Sequence, residues 1–335
     1  MTPFRSLALP CCLLSLSLTL LRSQQLSGPD FVIPDTQTRI AIDLAAVREL
    51  GLWAELEASV LGPVLTRIEK ELGFPLVGLD RFGVSLRQPT GAGPLGGQQV
   101  LVWEGNRELA VPEPYLAATW QAERIDTFEV RRRSRTRGGE LFVKVNPDLL
   151  VHGDAECVEM VLRGKQRATP MPPDLQSLLS GRERRLGWIV IDLAAEAARN
   201  RFLVQVMGAD LSAWPASELP THLSAQVLVA GDAADPHLLV RVVLRHAKDG
   251  DGVAVSQRAL DGRLATMRED ARLQRIQPLL ASAAAVRDAT DALVQVDFGR
   301  MHDAVAGIAT LLLPVLGRGS EVDAKPQPEK AAGDK

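Results

Sequence analysis

The pentapeptide IDLAA occurs twice in the chain, at Ile42–Ala46 and again at Ile191–Ala195. Each copy follows a short apolar stretch and precedes residues with helical apolar spacing, a pattern typical of a strand that runs into a helix. Each Asp would then stand at the strand end, where its carboxylate can accept hydrogen bonds from the first helical turn. The repeated phrase therefore predicts two strand-to-helix units in one chain.

The elements expected around the two phrases follow a similar order. The first half predicts strands at 39–44, 82–87, 100–103, 128–134, 140–145 and 149–152, and helices at 52–72, 112–123 and 155–163. The second half predicts strands at 187–193, 223–230, 238–245, 285–289 and 292–298, with helices through 207, at 253–280 and at 302–316. We expect an α+β fold of two similar units in β-α-β-β-α-β-β-α order, with largely antiparallel sheets and helices packed on one face.

This order divides the chain into six segments. They are a signal peptide at 1–23, a connector at 24–38, a first α+β unit at 39–170, a linker at 171–186, a second α+β unit at 187–316 and a disordered tail at 317–335. The tail is rich in Pro, Lys, Glu and Ala and has few apolar residues, which is the composition of a segment that cannot build a core.

The first 23 residues have the pattern of a secretory signal. Arg5 precedes the apolar run SLALPCCLLSLSLTLL at 6–21, and a polar exit follows. The run is shorter than the ~20 residues that span a membrane. We expect export to the periplasm or the cell exterior, with a mature chain beginning near Gln24; an uncleaved leader would tether the protein to the membrane instead.

The composition excludes several classes of function. The chain has 335 residues, of which 46% are apolar and 24% charged, with a net charge of −3, so no basic excess indicates nucleic acid. Beyond the expected leader, Cys157 is the one cysteine, which excludes an internal disulfide and a CxxC metal site. Its apolar helical position in DAECVEMVL predicts that it is buried and inert.

The densest charge run is a candidate contact for an anionic partner. Alternate residues of a strand share one face, so Arg131, Arg133, Arg135 and Arg137 would line one side and Arg132 the other. Such a stripe could meet phosphate, anionic lipid or an acidic protein. The alternative is a solvated edge hairpin whose cations discourage edge-to-edge pairing.

Local motifs assign no cofactor, metal or catalytic residue. The GxGxxG match at 91–96 precedes a strand where a dinucleotide site needs a helix, which favours a hairpin loop. The five histidines have neither HxH nor HxxxH spacing, and GxSxG, SxxK and GxxxxGK[ST] are absent from the sequence. A site assembled from distant residues would show itself as a deep pocket that joins two or more of His152, His237, His246, Asp192 and Asp43.

Three segments carry a resemblance to a group of proteins. They are RIAIDLAAVRELGLWAEL at 39–56, LFVKVNPDLLVHGDAECVEMVL at 141–162 and GWIVIDLAAEA at 187–197. The chain resembles uncharacterised exported bacterial proteins with tandem α+β units, over about Arg39–Leu316. The resemblance implies two units and export, and it supplies no catalytic residues.

These observations favour an exported envelope protein that acts without catalysis as a binding or interaction module, with a protein or envelope component as its partner. Two alternatives stay open. An exported hydrolase with a dispersed active site would show a deep pocket with convergent polar groups. A carrier of small ligands would show a large apolar cavity between the units.

Overall fold

The computed structural model describes residues 31–33, 36–59, 61–87, 97–135, 138–164, 171, 173–179, 183–193, 218–231, 236–300, 304–305 and 307. The expected leader, tail, GxGxxG loop and the helix after the second IDLAA phrase lie outside these residues. The same holds for Arg137 and for most of the helix expected at 302–316.

The described part of the chain forms one antiparallel sheet of twelve strands, with helices on both faces, and so belongs to the α+β class. The strands are β1 (Thr38–Asp43), β2 (Leu79–Arg87), β3 (Gln98–Gly105), β4 (Gln121–Ile125), β5 (Phe128–Arg135), β6 (Gly138–Asn146), β7 (Leu149–Asp154), β8 (Arg184–Asp192), β9 (His222–Ala230), β10 (His237–Arg245), β11 (Ala285–Asp288) and β12 (Asp291–Arg300). The helices are α1 (Leu44–Glu49), α2 (Leu52–Ala58), α3 (Gly62–Leu72), α4 (Glu113–Leu116), α5 (Ala155–Leu162), α6 (Pro173–Leu178), α7 (Asp251–Glu269) and α8 (Gln277–Ser282).

The two halves join through their first strands. The strand order is β11-β12-β10-β9-β8-β1-β2-β3-β7-β6-β5-β4. The strands that run into the two IDLAA phrases, β1 and β8, are therefore neighbours at the centre. They pair antiparallel, with Ile40 opposite Ile189 and Ile42 opposite Gly187. The halves therefore share a single sheet.

Local chemistry fixes where several helices begin and end. The carboxylate of Asp43 accepts a hydrogen bond of 2.8 Å from the Ala46 amide at the start of α1. Asp154 caps α5 in the same way, through the Glu156 amide at 3.2 Å. Pro63 lies in the first turn of α3, so the expected break yields two helices, and Gly73 ends α3 with a φ of 76°. These predictions are confirmed.

The two faces of the sheet have separate cores. We call front the face that carries Ile42, Phe82 and Trp103; α1 to α4, α7 and α8 cover it. The back face is covered by α5 over the first half and by α6 over the second. The expectation that helices pack on one face is therefore wrong, because both strand faces carry apolar residues and each needs a cover.

The expected helix at 112–123 is also wrong. Only the four residues of α4 are helical there, and β4 follows as the edge strand beside β5. Pairing with the free edge of β5 supplies backbone hydrogen bonds that outweigh the helical preference of these residues. Because β4 and the short α4 break the expected element order, the two halves do not have matching element lists.

The connector and the linker carry structured residues that pack on the back face. Phe31 and Ile33 are buried in the core beneath α5. The expected linker holds α6, whose Leu175 and Leu178 pack on Val190 of β8. Both segments thus help to close the back face.

Candidate functional site: an apolar cavity on the front face

An apolar cavity lies on the front face at the centre of the sheet. Its floor is formed by six adjacent strands, β3, β2, β1, β8, β9 and β10, so it crosses the boundary between the two halves. The floor residues are apolar or glycine: Ile42, Phe82, Leu101, Trp103, Leu186, Gly187, Val227 and Leu238.

The wall of the cavity comes from three short consecutive helices and the residues that follow them. Its side chains are Leu44, Val47, Leu52, Trp53, Leu56, Leu61, Leu65, Ile68, Leu72 and Leu76, with Val305 from the far end of the chain. Gly51, with a φ of 71°, separates α1 from α2, and the residues around Pro63 separate α2 from α3. These breaks divide the chain between β1 and β2 into three short helices, and apolar side chains of all three border the space above the floor.

Polar anchors hold the wall in place from outside the cavity. Arg48 of α1 pairs with Asp80 and donates to the Leu79 carbonyl oxygen, which fixes α1 to the start of β2. The indole Nε1 of Trp53 donates to Glu57 over 2.8 Å, so the one polar atom of this ring is satisfied within α2. The described residues that line the cavity therefore offer it no unpaired polar side-chain atom.

The cavity has a volume of about 530 Å³. Ile42, in the middle of the floor, is 36% exposed although it lies on a central strand. Trp103 and Leu238, at the two ends of the floor, are 3% and 1% exposed. The floor is therefore accessible in its middle and tightly packed at both ends.

An aromatic cluster closes the cavity at the β3 end. The His152 ring of β7 lies parallel to Trp103 at a centroid distance of 6.4 Å, and the Tyr115 hydroxyl lies 3.2 Å from His152 Nδ1. Tyr115 also stacks on Phe142 at 4.0 Å and meets the edge of Trp120 at 5.0 Å. Burial, followed by the charge of nearby Glu140, raises the pKa of Tyr115 to about 12, so this hydroxyl stays neutral at physiological pH.

The arginines of β5 alternate between the two faces of the sheet, as expected. Arg132 and Arg133, however, pair with carboxylates of this chain. Arg133 lies on the front face, donates to Glu140 over 3.0 Å and stands 4.9 Å from the centre of the Trp120 ring. Arg132 lies on the back face and pairs with Glu123 and Glu159. Arg131 lines a surface groove beside the edge strand β4. Arg135 belongs to β5, but its side chain lies outside the described residues.

A second groove, of about 680 Å³, lies at the ends of β1, β2 and β3 and is polar. Asp43, Glu49, Asp80, Glu104 and Asp148 line it with Arg81 and Arg184. Glu49 pairs with Arg184, Asp80 with Arg48 and, at 3.9 Å, Glu104 with Arg81. Among the described residues, no group of three or more His, Cys, Asp or Glu is placed to hold a metal ion.

The candidate titratable residues do not converge on one pocket in the described part of the chain. Of the five named above, Asp43 lines the polar groove and the other four line none of the described cavities. His237 pairs with Asp297 over 3.3 Å at the surface.

The sequence did not indicate a buried pair between β10 and α7. His246 Nε2 lies 2.9 Å from the Ser256 hydroxyl, and burial lowers the pKa of His246. A Ser–His contact can activate a nucleophile. Ser256 is 0% exposed, however, and His246 is 5% exposed, so the described pair is packed inside the core.

Cys157 is buried on the back face, as expected. Burial, together with the charge of Asp154, raises the pKa of its thiol to about 12. The thiolate, which is the reactive form, is therefore scarce at physiological pH. Within the described residues, no helix is both long enough and apolar enough to cross a membrane.

In sequence, no protein-family model and no curated protein matches the chain. Among solved structures, the chain is similar to crystal forms I and III of TP0453, with TM-scores of 0.45 and 0.44 and 8% identity. In both cases the overlap covers 86% of this chain and 99% of that one. Overlap at this level does not establish a common fold.

Proposed function

We propose that the protein is an exported, non-catalytic binding module that holds a small apolar ligand in the front-face cavity. The observation that carries the proposal is the cavity itself: about 530 Å³ of space lined by apolar side chains and glycine. Ligand pockets in proteins measure roughly 300–1,000 Å³, and their linings are mostly apolar. Of the hypotheses drawn from the sequence, this proposal corresponds to the carrier of small ligands.

The energetics favour an apolar occupant. Contact with apolar surface removes that surface from water, which is worth about 25 cal/mol for each Å² buried. A polar ligand would lose its hydrogen bonds to water without replacement, because the described lining side chains offer no partner, and that loss costs roughly 1–3 kcal/mol per group. The cavity therefore selects against polar ligands of the same size.

Export is part of the proposal and rests on the signal-like residues 1–23 and on the resemblance to exported bacterial proteins. A carrier outside the cytoplasm would exchange its cargo with an envelope component. An anionic partner surface would meet Arg131 in the groove beside β4, on the same sheet face as the cavity. N-terminal sequencing of natively expressed protein tests export, since a cytosolic protein that retains Met1 contradicts it.

We also propose that the two halves are duplicated units, and the strand order is the support. Counted outward from the centre, the first half runs β1-β2-β3-β7-β6 and the second runs β8-β9-β10-β12-β11. Each half thus has three strands in chain order, of which the second and third follow each other directly, and then two strands in reversed order. Asp43 and Asp192 end the corresponding first strands, which would explain why the chain contains the same phrase twice. A cavity at the junction is then a product of joining the units.

The experiment uses two matched glycines on the strands that flank β1. Gly187 of β8 lines the cavity, and a Cβ there would meet the Ala41 carbonyl oxygen at 3.5 Å, an ordinary contact. Gly83 of β2 would point its Cβ to the back face, 3.9 Å from Val102. Gly187→Leu therefore fills the cavity, whereas Gly83→Leu adds the same side chain on the other face.

The probe is 1-N-phenylnaphthylamine, an uncharged dye that fluoresces in apolar surroundings. We expect the unmodified protein and Gly83→Leu to bind it with similar affinity, and Gly187→Leu to lose at least about tenfold, while unfolding in urea shows that Gly187→Leu is folded. Equal binding by the two variants, or no binding by the unmodified protein, contradicts the proposal.

A further inference from the structure

We infer that the start of α7, residues 251–256, is an acid-sensitive latch on the front face of the second half. It lies closed on the sheet while the imidazole of His246 is neutral, and it opens when that ring takes up a proton. The inference is independent of the ligand in the front-face cavity, because the described lining of that cavity includes neither His246 nor any residue of the latch.

The imidazole of His246 joins three segments of the chain. His246 follows β10 and is 5% exposed. Its ring makes a hydrogen bond with the backbone of Glu218, which precedes β9, and its Nε2 lies 2.9 Å from the hydroxyl oxygen of Ser256 in α7. A backbone carbonyl only accepts a hydrogen bond, whereas a hydroxyl can donate one. A neutral imidazole, with one donor and one acceptor, therefore satisfies both partners.

A proton added to this ring would place a charge in a packed region. Asp291 of β12 is the carboxylate that favours the charged ring, but Arg245 already donates to both of its oxygens, at 2.8 and 2.7 Å. The buried residues of the latch are all uncharged: Gly252, Val253 and Ser256. Burial is the largest effect and lowers the pKa of His246. The closed latch therefore resists protonation.

Opening of the latch reverses this balance. An imidazole in water has an ordinary pKa of about 6.5, so the open state takes up the proton first as the pH falls. The contribution of the neutral ring to closure is complete above about pH 6.5 and is lost towards the lower pKa of the closed state. One coupled proton can raise the equilibrium constant of opening by at most about tenfold per pH unit.

The latch is held less firmly than the rest of α7. Its N-cap, Gly250, makes no side-chain capping hydrogen bond. In the described chain, the contact between Ser256 and His246 is the side-chain hydrogen bond that ties the latch to another element, and Val253 is the one large apolar side chain that the latch buries. A segment with so few buried contacts opens at a low cost in free energy.

The second part of α7 has anchors that do not depend on the imidazole. The Asp261 carboxylate accepts a hydrogen bond of 2.9 Å from the Ala285 amide, and Gln257 donates to the Ala285 carbonyl oxygen over 3.0 Å. Arg268 donates to the Leu280 carbonyl oxygen over 2.9 Å. The second part should therefore keep its place when the latch opens.

The test is hydrogen–deuterium exchange of the full chain, followed by mass spectrometry at about pH 7.5 and about pH 5, on either side of the ordinary imidazole pKa. Each exchange rate is divided by that of an unfolded chain at the same pH. We expect the protection of 251–256 to fall at least about tenfold at the lower pH, while that of 261–269 and of α5 changes less than about twofold.

Two variants assign the effect to His246. His246→Gln keeps a donor and an acceptor but takes up no proton, so its protection of 251–256 should change less than about twofold between the two pH values. His222→Gln is the matched control, because this histidine lies on the neighbouring strand β9, opposite Arg245. It should respond to pH as the unmodified protein does. If His246→Gln does not fold, Ser256→Ala replaces it and should lower the protection of 251–256 already at about pH 7.5, because it removes only the hydroxyl.

Three results would overturn the inference. One is a protection of 251–256 that does not change with pH. Another is an equal loss of protection in 251–256 and α5, which would show global unfolding instead of a local opening. The third is a pH response that persists in His246→Gln. None of these results bears on the apolar cavity, which the dye-binding experiment tests separately.

Discussion

The centre of the front face and the part of the back face beneath α5 differ in how completely they are filled. On the back face, α5 lies flat on β6 and β7, and Leu141, Val151 and Val158 are each 0% exposed. On the front face, three short helices border the sheet centre, and Ile42 keeps 36% of its surface exposed. Both faces carry large apolar side chains, so hydrophobicity alone does not decide the difference. The region beneath α5 is covered by one continuous helix, whereas the exposed Ile42 lies beside three short helices separated at Gly51 and around Pro63.

The largest expected difference between the two faces is in thiol reactivity. Cys157 is buried beneath the back face and its thiol has a raised pKa, so it should react with a thiol reagent only when the protein unfolds. A cysteine placed at the cavity floor by Ile42→Cys should react at least roughly a thousandfold faster, since marginal stability keeps the unfolded fraction small. Mass spectrometry of the labelled peptides measures both rates. Fast labelling of native Cys157 would contradict a closed back face.

Truncation of one side chain on each face gives the next largest effect. Leu141→Ala should cost about 2–5 kcal/mol of unfolding free energy, because it opens a cavity in a filled core. Ile42→Ala should cost less than about 1 kcal/mol, because that side chain already borders empty space. Urea unfolding followed by circular dichroism measures both. Equal costs would show that the space above Ile42 is closed in solution.

The helix caps offer a smaller and more specific comparison. Asp154→Ala on the back face and Asp43→Ala beside the cavity each remove a carboxylate that accepts an amide hydrogen bond, and each should cost about 0.5–2 kcal/mol. Only Asp43→Ala should also weaken binding of 1-N-phenylnaphthylamine, by about two- to tenfold, because α1 carries Leu44 and Val47 of the wall. A loss of binding in Asp154→Ala instead would separate the dye site from the cavity.

The part of the front face beneath α7 is filled, and it provides the smallest effect. Burial lowers the pKa of His246 in the folded protein, so the unfolded chain takes up the proton first as the pH falls below about 6.5. The contribution of His246 to stability is therefore present above that pH and is lost towards the lower folded pKa, by at most about 1.4 kcal/mol per pH unit. In His246→Gln this part of the pH dependence should disappear from urea unfolding curves measured between about pH 8 and pH 5. An unchanged slope would show that His246 is accessible to protons in the fold.

The sequence predicted local features well, because short-range chemistry determines them. Apolar alternation located β2, β3, β5 and β6, and Asp43, Asp154, Pro63 and Gly73 marked helix boundaries. The edge strand β4 was missed because its pairing with β5 is a tertiary contact that local preference does not report. The distribution of helices over two faces was missed for the same reason.

The cavity could be predicted only in part. The helical face that runs from Leu52 to Leu72 was visible as an apolar stripe, and that stripe became the wall. Periodicity indicates that a face avoids water but not whether the opposing surface fills the space. Gly187, which leaves room on the floor, carried no signal until its partner strand was known. The arginine stripe, in contrast, was prominent in sequence, yet Arg133 is held by Glu140 and Trp120.

The central claim is that an apolar ligand occupies the front-face cavity, and photo-crosslinking tests it most directly. A long-chain alcohol with a diazirine within its chain would be bound, irradiated and mapped by mass spectrometry. The account predicts crosslinks on the floor and wall, in the peptides that contain Ile42, Phe82 or Leu65, and their loss in Gly187→Leu but not in Gly83→Leu. Crosslinks on the back face around Val151 and Val158, or an unchanged pattern in Gly187→Leu, would contradict it.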